Sequence, residues 1–145
     1  MMEKNKIEQY LIDLMLTYRE ISHDLWLIDD PEHNLADVAV MYEEPLVVFR
    51  VAVMDVPDAG QAERLELFTK LLELNANDVL HGAYALEDDK IVLINTQDYE
   101  TLDYGEFRST LDAFSLALVQ HYPVLSKYRN KAAGKLATPL LSSKD

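Results

Sequence analysis

Residues 58–96 read DAGQAERLELFTKLLELNANDVLHGAYALEDDKIVLINT, and the change of period inside this stretch decides the fold. Asp58 stands three residues before Gln61, the spacing of a capping box, and Pro57 stops the strand ahead of it, so a helix is expected from Ala59 to Leu74. Leu65, Phe68 and Leu72 form one stripe of that helix, while Leu67, Leu71 and Leu74 widen the apolar arc to about half the circumference. After Asn75-Ala76-Asn77-Asp78 the pattern becomes that of strands: His81–Leu86, a turn at Glu87-Asp88-Asp89, then Ile91–Thr96. A helix that delivers straight into a hairpin points to an antiparallel sheet with helices packed on it.

The flanking sequence extends the same scheme. Upstream, Ile7, Leu11, Leu14, Tyr18 and Ile21 recur at helical spacing and predict a first helix over Lys4–Ser22. Asp24–Ile28 (DLWLI) is a short apolar strand ended by Asp29-Asp30-Pro31, and Leu35–Tyr42 and Leu46–Val56 follow as two more, separated by Glu43-Glu44-Pro45. In the last of these both alternating sets are apolar, so both faces of the sheet are expected to be covered there. Downstream, Asp103 and Glu106 make a capping box, with Leu102 and Phe107 placed as a hydrophobic staple. The third helix carries Tyr104, Phe107, Leu111, Phe114, Leu118 and Tyr122 on one face, until Pro123 is expected to break or kink it. A last helical segment is expected up to Gly134. The class is α+β in the order α-β-β-β-α-β-β-α, as one domain over residues 1–125 with a basic, partly disordered tail over 126–145.

Composition narrows the function. The 145-residue chain has a net charge of -13 and no cysteine, which excludes disulfides, thiolate zinc sites and a cysteine nucleophile. Excess carboxylate disfavours unspecific binding to phosphate backbones or anionic membranes, so neither nucleic acid nor membrane is expected as a partner. The charge is uneven: Lys127, Arg129, Lys131, Lys135 and Lys144 face only Asp145 in the last twenty residues. The start MMEKNKIEQ lacks the apolar run of a secretory signal, and a cytoplasmic protein is expected.

No motif assembles an active site. His23, His33, His81 and His121 fall in four separate segments without metal-ligand spacing, and the acidic loop of Asp29, Asp30, Glu32 and His33 lacks the glycine of a calcium loop. Four glycines, Gly60, Gly82, Gly105 and Gly134, cannot build a phosphate-cradling loop. The pairs Glu43-Glu44 and Asp88-Asp89 sit at hairpin tips, where water keeps both carboxylates ionised. No catalytic residue, cofactor or metal is therefore expected, and the chain reads as non-enzymatic. Surplus apolar surface points to binding instead. Ile12 and Leu16 project opposite the main stripe of the first helix, and Trp26 shares one side of the first strand with Ile28. Two other classes remain open on the residues alone: an acidic decoy that occupies a basic protein, and an enzyme whose site assembles only in the fold.

The segments Leu71-Leu72-Glu73-Leu74-Asn75 and His81-Gly82-Ala83-Tyr84-Ala85-Leu86-Glu87-Asp88-Asp89-Lys90-Ile91-Val92-Leu93 resemble the "LLxLN, HGxFALDD, hydrophobic strand" signature of the type III secretion chaperone-like superfamily. That superfamily includes the CesT (Tir chaperone) family and the related YbjN-type sensory regulators. The resemblance runs from the first helix to about Leu125. It implies a small acidic homodimer that holds a segment of a partner protein in hydrophobic grooves without ATP. By position it implies a dimer interface at Leu67, Leu71, Leu74 and Tyr84, and a partner groove at Ile12, Leu16, Trp26 and Ile28. The mechanism it implies is strand addition, with main-chain hydrogen bonds giving affinity and pockets giving selection. The partner is then a secretion substrate or, in the YbjN-like alternative, a regulatory partner with no secretion substrate involved.

Overall fold

β-branched and aromatic residues at alternating positions give the middle of the chain its longest strands, and these form the centre of the sheet. The computed structural model describes residues 5–136. Its elements are α1 (Lys6–Asp13), β1 (Tyr18–Ser22), β2 (Leu25–Asp30), a 3-10 turn (Pro31–His33), β3 (Leu35–Glu43), β4 (Leu46–Asp55), α2 (Gln61–Asn77), β5 (Ala83–Glu87), β6 (Lys90–Asp98) and α3 (Tyr104–Leu136). Six strands lie in the order β1-β2-β3-β4-β6-β5, each antiparallel to its neighbours. This is the α+β architecture the sequence indicates, with one strand more than expected.

The extra strand comes from the first helix, which ends at Asp13 and not at Ser22. The Met15 amide bonds to the Ile12 carbonyl and the Leu16 amide to the Leu11 carbonyl, while Met15 takes φ 59°. That is a Schellman stop with methionine in the position glycine favours. Tyr18, which fits the helical spacing, instead starts β1 and faces Ile28 across the ladder. The start is fixed by the Thr17 amide, which donates to the Asp30 carboxylate at 2.9 Å. Helical spacing and the one-in-two period of a strand coincide over so few residues, and tertiary pairing decides between them.

Three further boundaries move. Helix α2 starts at Gln61 on Gly60 as its N-cap, two residues past the expected start, with no side-chain cap bond, and it continues to Asn77. In β4 a bulge between Ala52 and Met54 breaks the alternation, so Val47, Phe49 and Val51 are followed into the core by Met54. Helix α3 runs uninterrupted through Pro123 for 33 residues. A proline inside a helix costs about 3 kcal/mol, but Leu125 and Tyr128 beyond it are buried and Arg129 donates to the Val53 carbonyl at 2.6 Å. Packing after the proline holds the helix on course. The expected boundary at residue 125 thus falls within α3, and the part of the tail over 137–145 lies outside the described residues.

The helices pack on one face of the sheet. Phe49 lies 5.4 Å from Phe107 and 6.3 Å from Phe114 of α3, ring centre to ring centre, and Tyr10 of α1 reaches Phe107 at 5.3 Å. Ile7, Leu11, Trp26, Ile28, Val38, Val40, Leu67, Leu71 and Leu93 complete this core. The staple holds: Leu102 and Phe107 are buried and Asp103 Oδ1 accepts the Glu106 amide at 2.8 Å. On the opposite face Leu25, Leu27, Met41, Val48 and Ile94 stay half-buried, and no helix among the described residues covers them as the apolar pattern of β4 led us to expect. There Arg50 of β4 reaches Glu87 of β5 across β6. The pair bridges the strand that carries Val92, which is 1% exposed although it points away from the helices.

Candidate protein-binding site

Two corners of the molecule expose apolar side chains, and each lies at one end of the sheet. The first is where α1 turns into β1. The Schellman stop lifts Met15 into solvent at 83% exposure, beside Ile12 at 40%, and Ile21 of β1 is exposed to 46%. Leu14 and Leu16, half-buried, open into a cleft of about 820 Å³ that is also lined by His33, Leu35, Arg108, Leu116 and Val119. β1 is the edge strand beyond this cleft, and four of its five residues are exposed.

A buried carboxylate shapes this corner. Asp30 accepts from the Thr17 amide at 2.9 Å, from the His33 amide at 3.3 Å and bonds the His33 ring Nδ1 at 2.9 Å. The Thr17 amide foremost, then His33, holds the Asp30 carboxyl below its ordinary pKa against the opposing effect of burial. The hydrogen bond to Asp30 in turn raises the His33 pKa. Ser115 Oγ of α3 donates to the His33 carbonyl at 2.9 Å and ties the 3-10 turn to the helix. Asp30 and His33 of the acidic loop are therefore spent on holding the chain.

The second corner lies where α2 meets β5. Leu65 and Leu72 are each 67% exposed on the outer side of α2, with Leu80 at 75% and Leu86 at 57% nearby. Beneath them, Asn75 grips the backbone of Tyr84: Oδ1 accepts the Tyr84 amide at 2.7 Å and Nδ2 donates to the Tyr84 carbonyl at 3.1 Å. The Tyr84 hydroxyl meets His121 Nδ1 of α3 at 2.7 Å, and burial raises the phenol's pKa well above its ordinary value. His121 is 3% exposed; among the described residues its Nε2 has no hydrogen-bond partner, and it lies 3.7 Å from the Asp78 carboxylate at the C-cap of α2. Burial lowers the His121 pKa, opposed by Asp78.

Of the groove residues expected from sequence, Ile12 and Leu16 stand at the first corner, but Trp26 and Ile28 are 2% and 0% exposed in the core. They are corrected to core residues because the side of β2 they share faces the helices. Leu67, Leu71, Leu74 and Tyr84, expected at a dimer interface, are likewise turned inward, at 0%, 6%, 6% and 6% exposure. The two stripes of α2 exchange places: Leu67/Leu71/Leu74 seats the helix on the sheet and Leu65/Leu72 faces solvent. Sequence reasoning missed Met15, Ile21 and Leu116, since the helix assigned to residues 4–22 hid both the turn that exposes Met15 and the strand that exposes Ile21. Among the described residues no cluster of three or more His, Asp or Glu is arranged to hold a metal ion, and no helix is long and apolar enough to cross a membrane.

A family model, CesT_Tir_1, matches residues 1–131. Several solved structures are similar in fold at low identity. A chain from the heterodimeric ExoU–SpcU complex of the type III secretion system of Pseudomonas aeruginosa aligns at 17% identity and a TM-score of 0.64, covering 81% of this chain and 95% of that one. YbjN from E. coli aligns at 16% identity and a TM-score of 0.57, covering 81% and 90%. The structure of the Yersinia pestis type III secretion chaperone SycH with a stable fragment of YscM2 aligns at 16% identity and a TM-score of 0.55, covering 78% and 93%. No curated protein matches the sequence.

Proposed function

The chain belongs to the CesT_Tir_1 family, and on that premise we propose that it is a non-enzymatic, cytoplasmic protein-binding module that holds an extended segment of another protein along β1. The observation that carries this reading is the edge of β1, which no strand among the described residues pairs, close to the exposed or half-buried Ile12, Met15, Leu16 and Ile21. An edge strand offers unpaired backbone donors and acceptors, and neighbouring apolar side chains supply pockets for alternate residues of an added strand. Burying one such side chain fully contributes roughly 1.5–3 kcal/mol, so three or four of them give a segment useful affinity even after its ordering entropy is met. Two of the similar structures are complexes, with ExoU and with a fragment of YscM2, which supports a protein as the partner here.

The same reading has the chain act as a homodimer, with the contact on the outer stripe of α2, Leu65 and Leu72, in place of the inward stripe. Light scattering is expected to give a dimer that Leu72→Asp converts to a folded monomer. The partner site is tested separately by affinity purification from the native cell with wild-type protein and with Ile12→Asp/Leu16→Asp. A co-eluting protein lost with the double variant supports the site; one retained at full yield overturns it. The likeness to YbjN favours a second reading, a regulator that uses the same edge with no secretion substrate. The identity of the co-eluting protein separates the two.

A further inference from the structure

We infer that Asn75 decides which edge of the sheet can take a strand, and that it keeps β5 closed against the β5 of a second copy. In an antiparallel edge strand, alternate residues turn both N–H and C=O outward. In β5 Tyr84 is such a residue, and both groups are taken by one carboxamide, Asn75 Oδ1 and Nδ2. A side-chain amide presents an acceptor and a donor side by side as a peptide does. Asn75 therefore fills the seat that a neighbouring strand would use.

The latch is rigid at both ends. Asn75 lies near the end of α2, one position after the buried Leu74, and the Tyr84 ring is held by His121 from α3. Because β5 is five residues long, alternation leaves only Leu86 as a second outward residue, too little for a ladder while Asn75 is in place. Without it the edge becomes self-complementary. A two-fold pairing centred on Ala85 sets Tyr84 opposite Leu86 and Glu87 opposite Ala83, which gives an aromatic–aliphatic pair and no like charges facing. Leu86 is already 57% exposed, and Glu87 is engaged by Arg50, so little charge guards that edge. The occupant is thus a second copy of this chain. The assignment of the partner to β1 rests on the proposed function; the latch on β5 does not.

The test is Asn75→Ala in the full chain at physiological salt, read by sedimentation velocity over a concentration series and by hydrogen exchange at the Tyr84 amide. Expected are a Tyr84 amide that exchanges on the order of tenfold to hundredfold faster at low concentration, and a species of twice the wild-type mass at high concentration. Adding Leu86→Pro, which removes an outward N–H and no ladder bond, should restore the wild-type mass. An Asn75→Ala protein that stays at the wild-type mass overturns the inference, and so does a double variant that still associates, since association then comes from general loosening. If Asn75→Ala does not fold, Asn75→Leu keeps the side-chain volume and loses both bonds to the Tyr84 backbone. Its mass, with and without Leu86→Pro, is then read by the same criteria. Failure of the β1 reading would leave these masses unchanged and appear only in the partner purification.

Discussion

The two edge strands of the sheet are each five residues long, and they are protected in different ways. β5 is closed by a group from the chain itself, the Asn75 carboxamide, with Tyr84 braced against His121 behind it. β1 has no such cover among the described residues and carries the devices usual for a solvent-facing edge: charges at Arg19 and Glu20 and a bulge between Glu20 and Ser22. A bulge and two charges discourage unselective pairing, yet they leave the backbone within reach of a strand that matches them. A carboxamide latch leaves only Leu86 to match. On the proposed function, the difference separates an edge kept shut from an edge kept selective.

Four measurements break or sharpen this contrast, beyond the test of Asn75. Phe49→Ala removes the ring shared by Phe107 and Phe114 and is expected to cost about 3–5 kcal/mol in urea unfolding. It should loosen both edges together, whereas edge-specific variants should not. Asp30→Ala takes the acceptor from Thr17 and His33 and is expected to cost about 2–3 kcal/mol. Its hydrogen-exchange signature should be confined to β1 and the 3-10 turn, leaving Tyr84 protected.

The third is a pH series. His121 is held neutral by burial, with a folded pKa below its unfolded value. The unfolded chain therefore binds the proton first as pH falls, so this stabilisation is complete above about pH 6.5 and is lost as pH drops toward the folded pKa. The slope is at most about 1.4 kcal/mol per pH unit. His33 has the opposite sign: its raised pKa gives stability that is present below about pH 6.5 and lost as pH rises through the folded value, weakened by solvent at this exposed ring. The difference between wild type and His121→Phe isolates the β5 side, and a difference that does not vary between pH 7 and 5 would remove His121 from that account. The smallest effect belongs to Met15. Met15→Gly relieves a left-handed backbone and is expected to raise stability by about 1 kcal/mol, while weakening retention of the β1 partner in the purification assay.

Much of this arrangement could be read from residues alone, and the part that could not has a common cause. The α2-to-hairpin stretch, the staple at Leu102 and Phe107, and the fold class follow from local period and capping, which are written within a few residues. The end of α1 depends on an acceptor at Asp30, far along the chain, so Tyr18 and Ile21 satisfied a helix on paper and a strand in the fold. The stripes of α2 were both visible, but which one faces the sheet depends on the roll of the helix, set by its packing against β5 and α3. Trp26 and Ile28 were correctly placed on one side of β2, and only the sheet's position under α3 decides that this side is the inner one. Asn75 carried a signal too, as the residue closing the LLxLN stretch, although nothing local reveals that its partner is a backbone nine residues on.

The seam between β4 and β6, where Leu46 faces Asp98 and Asp55 faces Lys90, has a consequence for how the molecule assembles. Strands β1 to β4 form a meander of sequential hairpins, and β5 with β6 forms another; such local pairings close within microseconds. Joining the two requires α2 and β5 to be looped out first, so the slowest step in folding is expected to be this union of two preformed halves. The chain is in that sense two pieces sewn along one line, and a cut in the α2–β5 connection is where separately expressed halves should find each other again.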